Sequence, residues 1–349
     1  DVKVSVCVTG QHKELLDQVL HLFNVTPEFN LKVMKKNQNL FEITSEILLG
    51  MKNVFEEDKP DILLVHGDTT TSLSSSIAAF YYNIPVAHIE AGLRTYDLKA
   101  PFPEELNRQL VSRIAHWHFT PTTLSKNNLL REFIDKRKIF VTGNTVIDAL
   151  KMVIKKIDTD NVLRDQIEVK LNKELNFSYR ENKFILITGH RRESFGQGLK
   201  NICEAIKCVA QSHSDVHFIY PIHLNPQILK PVKSILKKID NIHLLEPLSY
   251  EVFIYLLKNC YFAITDSGGV QEEAPSIGKP VLITRELTER SEVLKEGTSI
   301  MVGTSKNAIV SNINKLLKDR NLYEKMSKVS NHYGDGFASK RICDVIGKD

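Results

Sequence analysis

The chain lacks any apolar run longer than a strand; its longest, such as "FILIT" and "DILLV", leave no candidate membrane span. It lacks clustered cysteines. Five are scattered, Cys7, Cys203, Cys208, Cys260 and Cys343, with no C-x-x-C pair and no Cys/His metal spacing, so they read as buried free thiols of a reducing cytoplasm. Neither a Walker A pattern nor a G-x-G-x-x-G occurs, which weighs against ATP hydrolysis and dinucleotide chemistry. There is no long block of like charge. The net +4 comes from 46 basic and 42 acidic residues, which argues against a nucleic-acid partner and slightly favours a small anionic ligand.

What is present is an ordinary globular composition, 42% hydrophobic and 25% charged, in 349 residues, enough for two domains that each bury a core. Short β-rich runs recur: "KVSVCVTG", "PDILLVHG", "IPVAHIEAG", "HWHFTPT" and "KIFVTGN", then "KFILITGH", "VHFIYPIH", "NIHLLEP", "YFAITDSGG" and "KPVLITR". Segments of helical periodicity separate them, a pattern that predicts parallel sheets covered by helices on both faces. The fold class is α/β, with two doubly wound domains joined close to residues 143–150. Ligands of such sheets bind at the carboxyl ends of the strands, so the polar residues just after each run are the candidates.

In the second half, "TDSGGVQEE" places Ser267, Gly268 and Gly269 where a strand turns into a helix, so that backbone N–H groups and the positive helix end meet a phosphate. Glu273, one turn on, is placed to accept two ribose hydroxyls. The plainer alternative is a strand–turn–helix with a serine N-cap. "TGHRRESFG" adds His190, Arg191 and Arg192, potential cations for a diphosphate, or else a solvated basic loop. His223 in "YPIHLNP" is weak alone, and Phe253 in "LSYEVFIYLL" is a base-stacking ring or simply core. Glu289 and Arg290 follow in "LTERSE". Together these strand ends read as a nucleoside diphosphate site.

The first half answers with carboxylates. "VHGDTTTS" places Asp68 after one strand, "AHIEAGLRT" places Glu90 after the next, and "APFPEELNRQL" sets Glu104 and Glu105 at a helix start, with Arg108 one turn along on the face of Glu104. Single carboxylates at helix starts are often dipole partners. Three from separate elements suit acid–base chemistry on a sugar attached to the diphosphate, with Arg108 orienting one of them.

These motifs, with "TGQHKELLDQVL", "VTGNTVIDAL" and "NHYGDGFASKRI", run through nearly the whole chain in an order that resembles the non-hydrolysing UDP-N-acetylglucosamine 2-epimerases. The resemblance implies two Rossmann-like domains, residues 1–146 and 147–337, in a glycosyltransferase-B-type arrangement. Helix 338–349 returns to the first domain, and the active site lies in the interdomain cleft. It implies reversible C2 epimerisation of UDP-N-acetylglucosamine through elimination of UDP to 2-acetamidoglucal, for surface polysaccharide precursors. No metal and no NAD is implied, and a cytoplasmic homodimer is expected. Carried over by position, the catalytic set resembles Asp68, Glu90, Glu104, Arg108 and His190, and the UDP site resembles His223, Phe253, Ser267, Gly268, Gly269, Glu273 and Arg290.

Two departures stand out. The family begins with a strand and a loop bearing an Arg and a Lys, and this sequence starts after that point, with no initiator Met and no signal peptide. Roughly 25 to 30 further residues are therefore expected before Asp1. Some relatives also bind a second UDP-N-acetylglucosamine as an activator. Of the positions resembling that site, with Arg191 beside it, Gln11 is kept, whereas Glu14 and Asn37 stand where those relatives carry Gln and Arg, so activation is expected to be weak or absent. The neighbouring readings are a hydrolysing epimerase that releases N-acetylmannosamine and UDP, a glycosyltransferase of the same architecture, and a non-catalytic UDP-sugar sensor.

Overall fold

The computed structural model describes residues 2–10, 13–35, 38–189, 191 and 195–348, and for Lys13, Glu14 and Leu15 the backbone alone. Two compact units divide the chain: Asp1–Thr145 with Gly336–Asp349, and Val146–Asp335.

In the first unit, strands β1 (Cys7–Val8) and β2 (Phe29–Asn30) form a parallel pair. Strands β3 (Leu63–His66), β4 (Val86–Ile89), β5 (Trp117–Thr120) and β6 (Ile139–Val141) form a parallel sheet in that order. Both pack into one core with helix Leu40–Glu57, whose buried Ile43, Ile47 and Met51 recur at helical spacing beneath Val65 and Val86. A capping box between Asn39 and Glu42 starts that helix. The C-terminal helix Ala338–Ile346 lays Ile342 against Ala87 and Phe119, and Arg341 donates from Nη1 to the Thr142 carbonyl at 3.0 Å.

The second unit holds β7 (Phe184–Thr188), β8 (His217–Pro221), β9 (Ile242–Leu245), β10 (Phe262–Thr265), β11 (Val281–Ile283) and β12 (Ser299–Met301). They lie parallel in the order β12-β11-β10-β7-β8-β9. β7 and β10 are neighbours, with Phe262 opposite Ile185 and Thr265 opposite Thr188, yet the chain leaves them in opposite directions along the sheet. That reversal is the topological switch point of a doubly wound sheet, where a crevice opens at the strands' carboxyl ends. Ile185, Phe218, Phe262 and Leu282 of the sheet pack with Cys203 and Ile206 of helix Gln197–Ser212 and Ile309 and Ile313 of helix Lys306–Lys318. Burial on both faces is why these strands read as unbroken apolar runs.

The ten β-rich runs of the sequence all become strands; β2 and β12 are additional. The cysteines need correction. All five are free, but only Cys203 and Cys260 are buried, and Cys343 is exposed on the C-terminal helix. Burial pushes the Cys203 and Cys260 thiols up to about 12, which keeps them protonated and unreactive. Among the described residues no helix is long and apolar enough to cross a membrane.

Candidate active site

At the carboxyl end of β3 the chain turns through Gly67, whose φ of +70° suits glycine, and presents Asp68. The turn is held from the next strand. His88 of β4 is buried and lies 2.8 Å through Nε2 from the Gly67 carbonyl; a carbonyl only accepts, so Nε2 carries the hydrogen. Burial pushes His88 down to about 4, and its register partner on β5, His118, down to about 3. Both rings are therefore neutral in the folded protein, with consequences for acid stability. Their folded pKa values lie below the unfolded value near 6.5, so the unfolded chain takes up protons first, and stability is full above about pH 6.5 and lost as pH falls towards 4. His88 alone accounts for on the order of 3 kcal/mol of that loss. Urea midpoints measured between about pH 7 and pH 4 are expected to fall steeply, and less steeply in His88→Gln.

Helix Glu104–Ile114 fixes Asp68 from the other side. Arg108 is buried and brings Nε and Nη2 to 2.9 and 2.7 Å from Asp68 Oδ2, while Asn107 donates to the Asp68 carbonyl at 2.8 Å. The two adjacent glutamates have separate fates. Glu105 is fully buried and accepts from the Thr95 and Tyr96 backbone N–H groups, from Arg108 Nη1 and from Gln109, so it pins the loop that follows Glu90. The side chain of Glu104, half-buried at the first helical position, makes no hydrogen bond or ion pair among the described residues.

Glu90 follows β4 in the left-handed region, φ +63°, a conformation that costs a non-glycine residue about 1 kcal/mol or more. Its Oε1 lies 3.5 Å from where a Cβ on Gly67 would stand, beside the turn that carries Asp68. Its Oε2 accepts from Asn144 Nδ2 at 2.6 Å. Asn144 is buried just after β6. Its motif, "VTGNTVIDAL", is plain in the sequence, but nothing there gives Asn144 a role. A short amide standing after a strand end, like the carboxylates themselves, was the available signal.

In the second unit, the crevice between β7 and β10 is bordered by Thr188 and Thr265, whose hydroxyls are hydrogen-bonded, and by Asp266, which accepts the Arg191 backbone N–H at 2.8 Å. Helix Gly268–Ser276 starts there. Ser267 precedes it, but its hydroxyl makes no capping hydrogen bond, so the N-cap alternative does not account for this serine. A Cβ on Gly268 would sit 2.6 Å from Arg290 Nη1. Glycine thus lets the Arg290 guanidinium lie on the helix start, where it is held by Glu272 through Nε and by Glu289 through Nη1, with Arg285 bridging to Glu289 at 3.1 Å. Glu289 supports the cation rather than facing a ligand.

Glu273 is buried, accepts the Tyr250 hydroxyl at 2.6 Å, and is pushed up to about 7 by burial. Phe253 is half-buried one turn beyond Tyr250 on helix Tyr250–Asn259, and the two share a face. His223 is exposed past β8, its Nδ1 accepting from Asn225 N at 3.1 Å. Gly269 adjoins Glu273, with Oε2 3.6 Å from the position of its missing Cβ. His190, Gln11 and Asn37 lie outside the described residues, as does the Glu14 side chain. Among the described residues no group of three His, Cys, Asp or Glu side chains is placed to hold a metal ion.

Comparison with known proteins gives consistent results. Residues 1–347 match the family model described as UDP-N-acetylglucosamine 2-epimerase. A Campylobacter jejuni protein of that name is 51% identical over 348 residues, covering 100% of this chain and 91% of its own. The crystal structure of a Neisseria meningitidis UDP-GlcNAc 2-epimerase bound to UDP-GlcNAc superposes with a TM-score of 0.95 at 47% identity, over 99% of this chain and 92% of that one. At 12% identity and a TM-score of 0.61, a Thermosynechococcus elongatus sucrose-phosphate synthase, a glycosyltransferase-B protein, shares the fold alone; the match covers 91% of this chain and 80% of that one.

Proposed function

The chain belongs to the UDP-N-acetylglucosamine 2-epimerase family, and from that premise we propose that it interconverts UDP-N-acetylglucosamine and UDP-N-acetylmannosamine without hydrolysis. The observation that carries this reading is the carboxylate set of the first unit: Asp68 clamped by Arg108, Glu90 beside it over Gly67, and Glu104, whose side chain has no partner among the described residues, at the start of the helix that bears Arg108.

Epimerisation at C2 needs a proton removed from one face and returned to the other. When the bond from C1 to the β-phosphate oxygen breaks, its electron pair leaves with UDP. One carboxylate takes the C2 proton, and the released pair becomes the C1=C2 double bond of 2-acetamidoglucal. Protonation of C2 from the opposite face and re-addition of the UDP oxygen at C1 complete the reaction. Asp68, Glu90 and Glu104 supply the proton carriers, and Arg108 holds the Asp68 carboxylate in place. Ser267, the first N–H groups of helix Gly268–Ser276 and Arg290 receive the leaving diphosphate, with His190 joining them by resemblance. Phe253 borders the uracil and Glu273 the ribose. A homodimer belongs to the same proposal.

The arrangement at Gly268 sets an expected outcome. In Gly268→Ala the added methyl meets Arg290 at 2.6 Å and displaces the cation from the helix start. Calorimetry is expected to show UDP affinity reduced at least about tenfold, the value of one charge-assisted contact, with thermal unfolding at a lower temperature because the cation moves off buried Glu272 and Glu289.

The hydrolysing outcome differs only in the fate of the glucal, which water would capture. Anion-exchange separation of the products tests it. UDP-sugars alone at equilibrium support the proposal, and free N-acetylmannosamine in amounts equal to UDP would overturn it.

A further inference from the structure

A buried carboxylate that serves a ligand has to be held in place while the ligand is away. Glu273 is 4% exposed, and the Tyr250 hydroxyl, 2.6 Å from Oε1, is its only side-chain hydrogen bond among the described residues. Oε2 points elsewhere, towards the first turn of helix Gly268–Ser276 beside Gly269. Tyr250 is the first residue of its own helix, and Glu273 is likewise its hydroxyl's only partner. Burial and the nearby carboxylate push the phenol well above its ordinary range, so it remains a proton donor throughout the pH range of activity. A carboxylate offers about four lone-pair sites, and one phenol leaves enough for a vicinal diol.

On the reading that Glu273 receives the ribose hydroxyls, we propose that Tyr250 is a positioning residue for ribose recognition. Its hydroxyl fixes Oε1 of Glu273 so that Oε2 faces the ligand, and this sets the preference for a ribonucleotide over one lacking the 2′ and 3′ hydroxyls. Without the phenol, Glu273 loses its one donor in a site where burial already favours the neutral acid. A neutral acid is a weaker acceptor for two hydroxyls.

The test is calorimetric binding of UDP and of 2′,3′-dideoxyuridine diphosphate at about pH 8, above the Glu273 transition. Wild type, Tyr250→Phe and Glu273→Gln are compared, with circular dichroism confirming the folds. Tyr250→Phe is expected to lose about tenfold in UDP affinity while its dideoxy affinity stays within about twofold, and Glu273→Gln to abolish the preference. An unchanged preference in Tyr250→Phe, equal loss for both ligands, or tighter UDP binding, which would make Tyr250 a competitor, each overturns the proposal. A wild type that binds UDP but does not distinguish the two ligands overturns the placement of ribose on Glu273 itself.

Discussion

Asp68→Asn lowers kcat for UDP-N-acetylglucosamine by about 10³-fold while leaving UDP affinity and the melting temperature close to wild type. The size follows from what a positioned acid–base group contributes, about 10² to 10⁴. The selectivity follows from the surroundings. Asp68 is held through one oxygen, Oδ2, by Nε and Nη2 of Arg108, and through its carbonyl by Asn107, so an amide of the same shape keeps the turn and one acceptor atom. What it loses is the charge that Arg108 compensates and the capacity to carry a proton. Steady-state rates on UDP-N-acetylglucosamine with calorimetry on UDP separate the two effects. A variant that loses UDP binding in proportion to activity would place Asp68 in ligand binding instead.

Arg108→Met has the largest expected effect on stability, a loss of about 3–5 kcal/mol. Arg108 sits between two carboxylates, Asp68 Oδ2 at 2.7 Å and Glu105 Oε2 at 3.1 Å, with its own side chain 4% exposed and that of Glu105 fully buried. Methionine fills the volume but leaves Glu105 a buried charge whose remaining donors are two backbone N–H groups and Gln109. The loop of Thr95 and Tyr96 is tied to the same carboxylate, so local order is expected to go with it. Thermal unfolding is expected to shift by roughly 10 °C, and the double variant Arg108→Met/Glu105→Gln to recover part of the loss, because the uncompensated charge is then gone. A single variant with wild-type melting would show that the pair contributes little.

The sheets were legible in the sequence for a physical reason. Strands such as β7 and β10 are buried on both faces, so "FILIT" and "FAIT" are apolar without interruption. β2 escaped because its "FN" offers a single apolar residue, while β12, "SIM", is no shorter than β6 and β11, which were read, so length does not explain its absence. At the candidate site, polar residues placed directly after apolar runs drew notice to Asp68, Glu90 and Ser267. Their supports did not stand out. Asn144 lies 54 residues from Glu90, and Tyr250 lies 23 from Glu273, so these pairings exist only once the chain has folded. The same limit applies to Glu104 and Glu105, two adjacent carboxylates that pattern alone does not tell apart. Burial assigns one to the loop and leaves the other open. His88 was invisible as anything but a strand residue, because its role is a single hydrogen bond across to the Gly67 carbonyl.

The central claim is proton exchange at C2 by elimination and re-addition, and proton NMR of the protein with UDP-N-acetylglucosamine in D2O tests it most directly. The account predicts that UDP-N-acetylmannosamine appears with deuterium at C2, and that the remaining UDP-N-acetylglucosamine acquires deuterium at the same carbon as the reaction reverses. Formation of the epimer with its original C2 hydrogen retained, or free N-acetylmannosamine as the accumulating product, would contradict it.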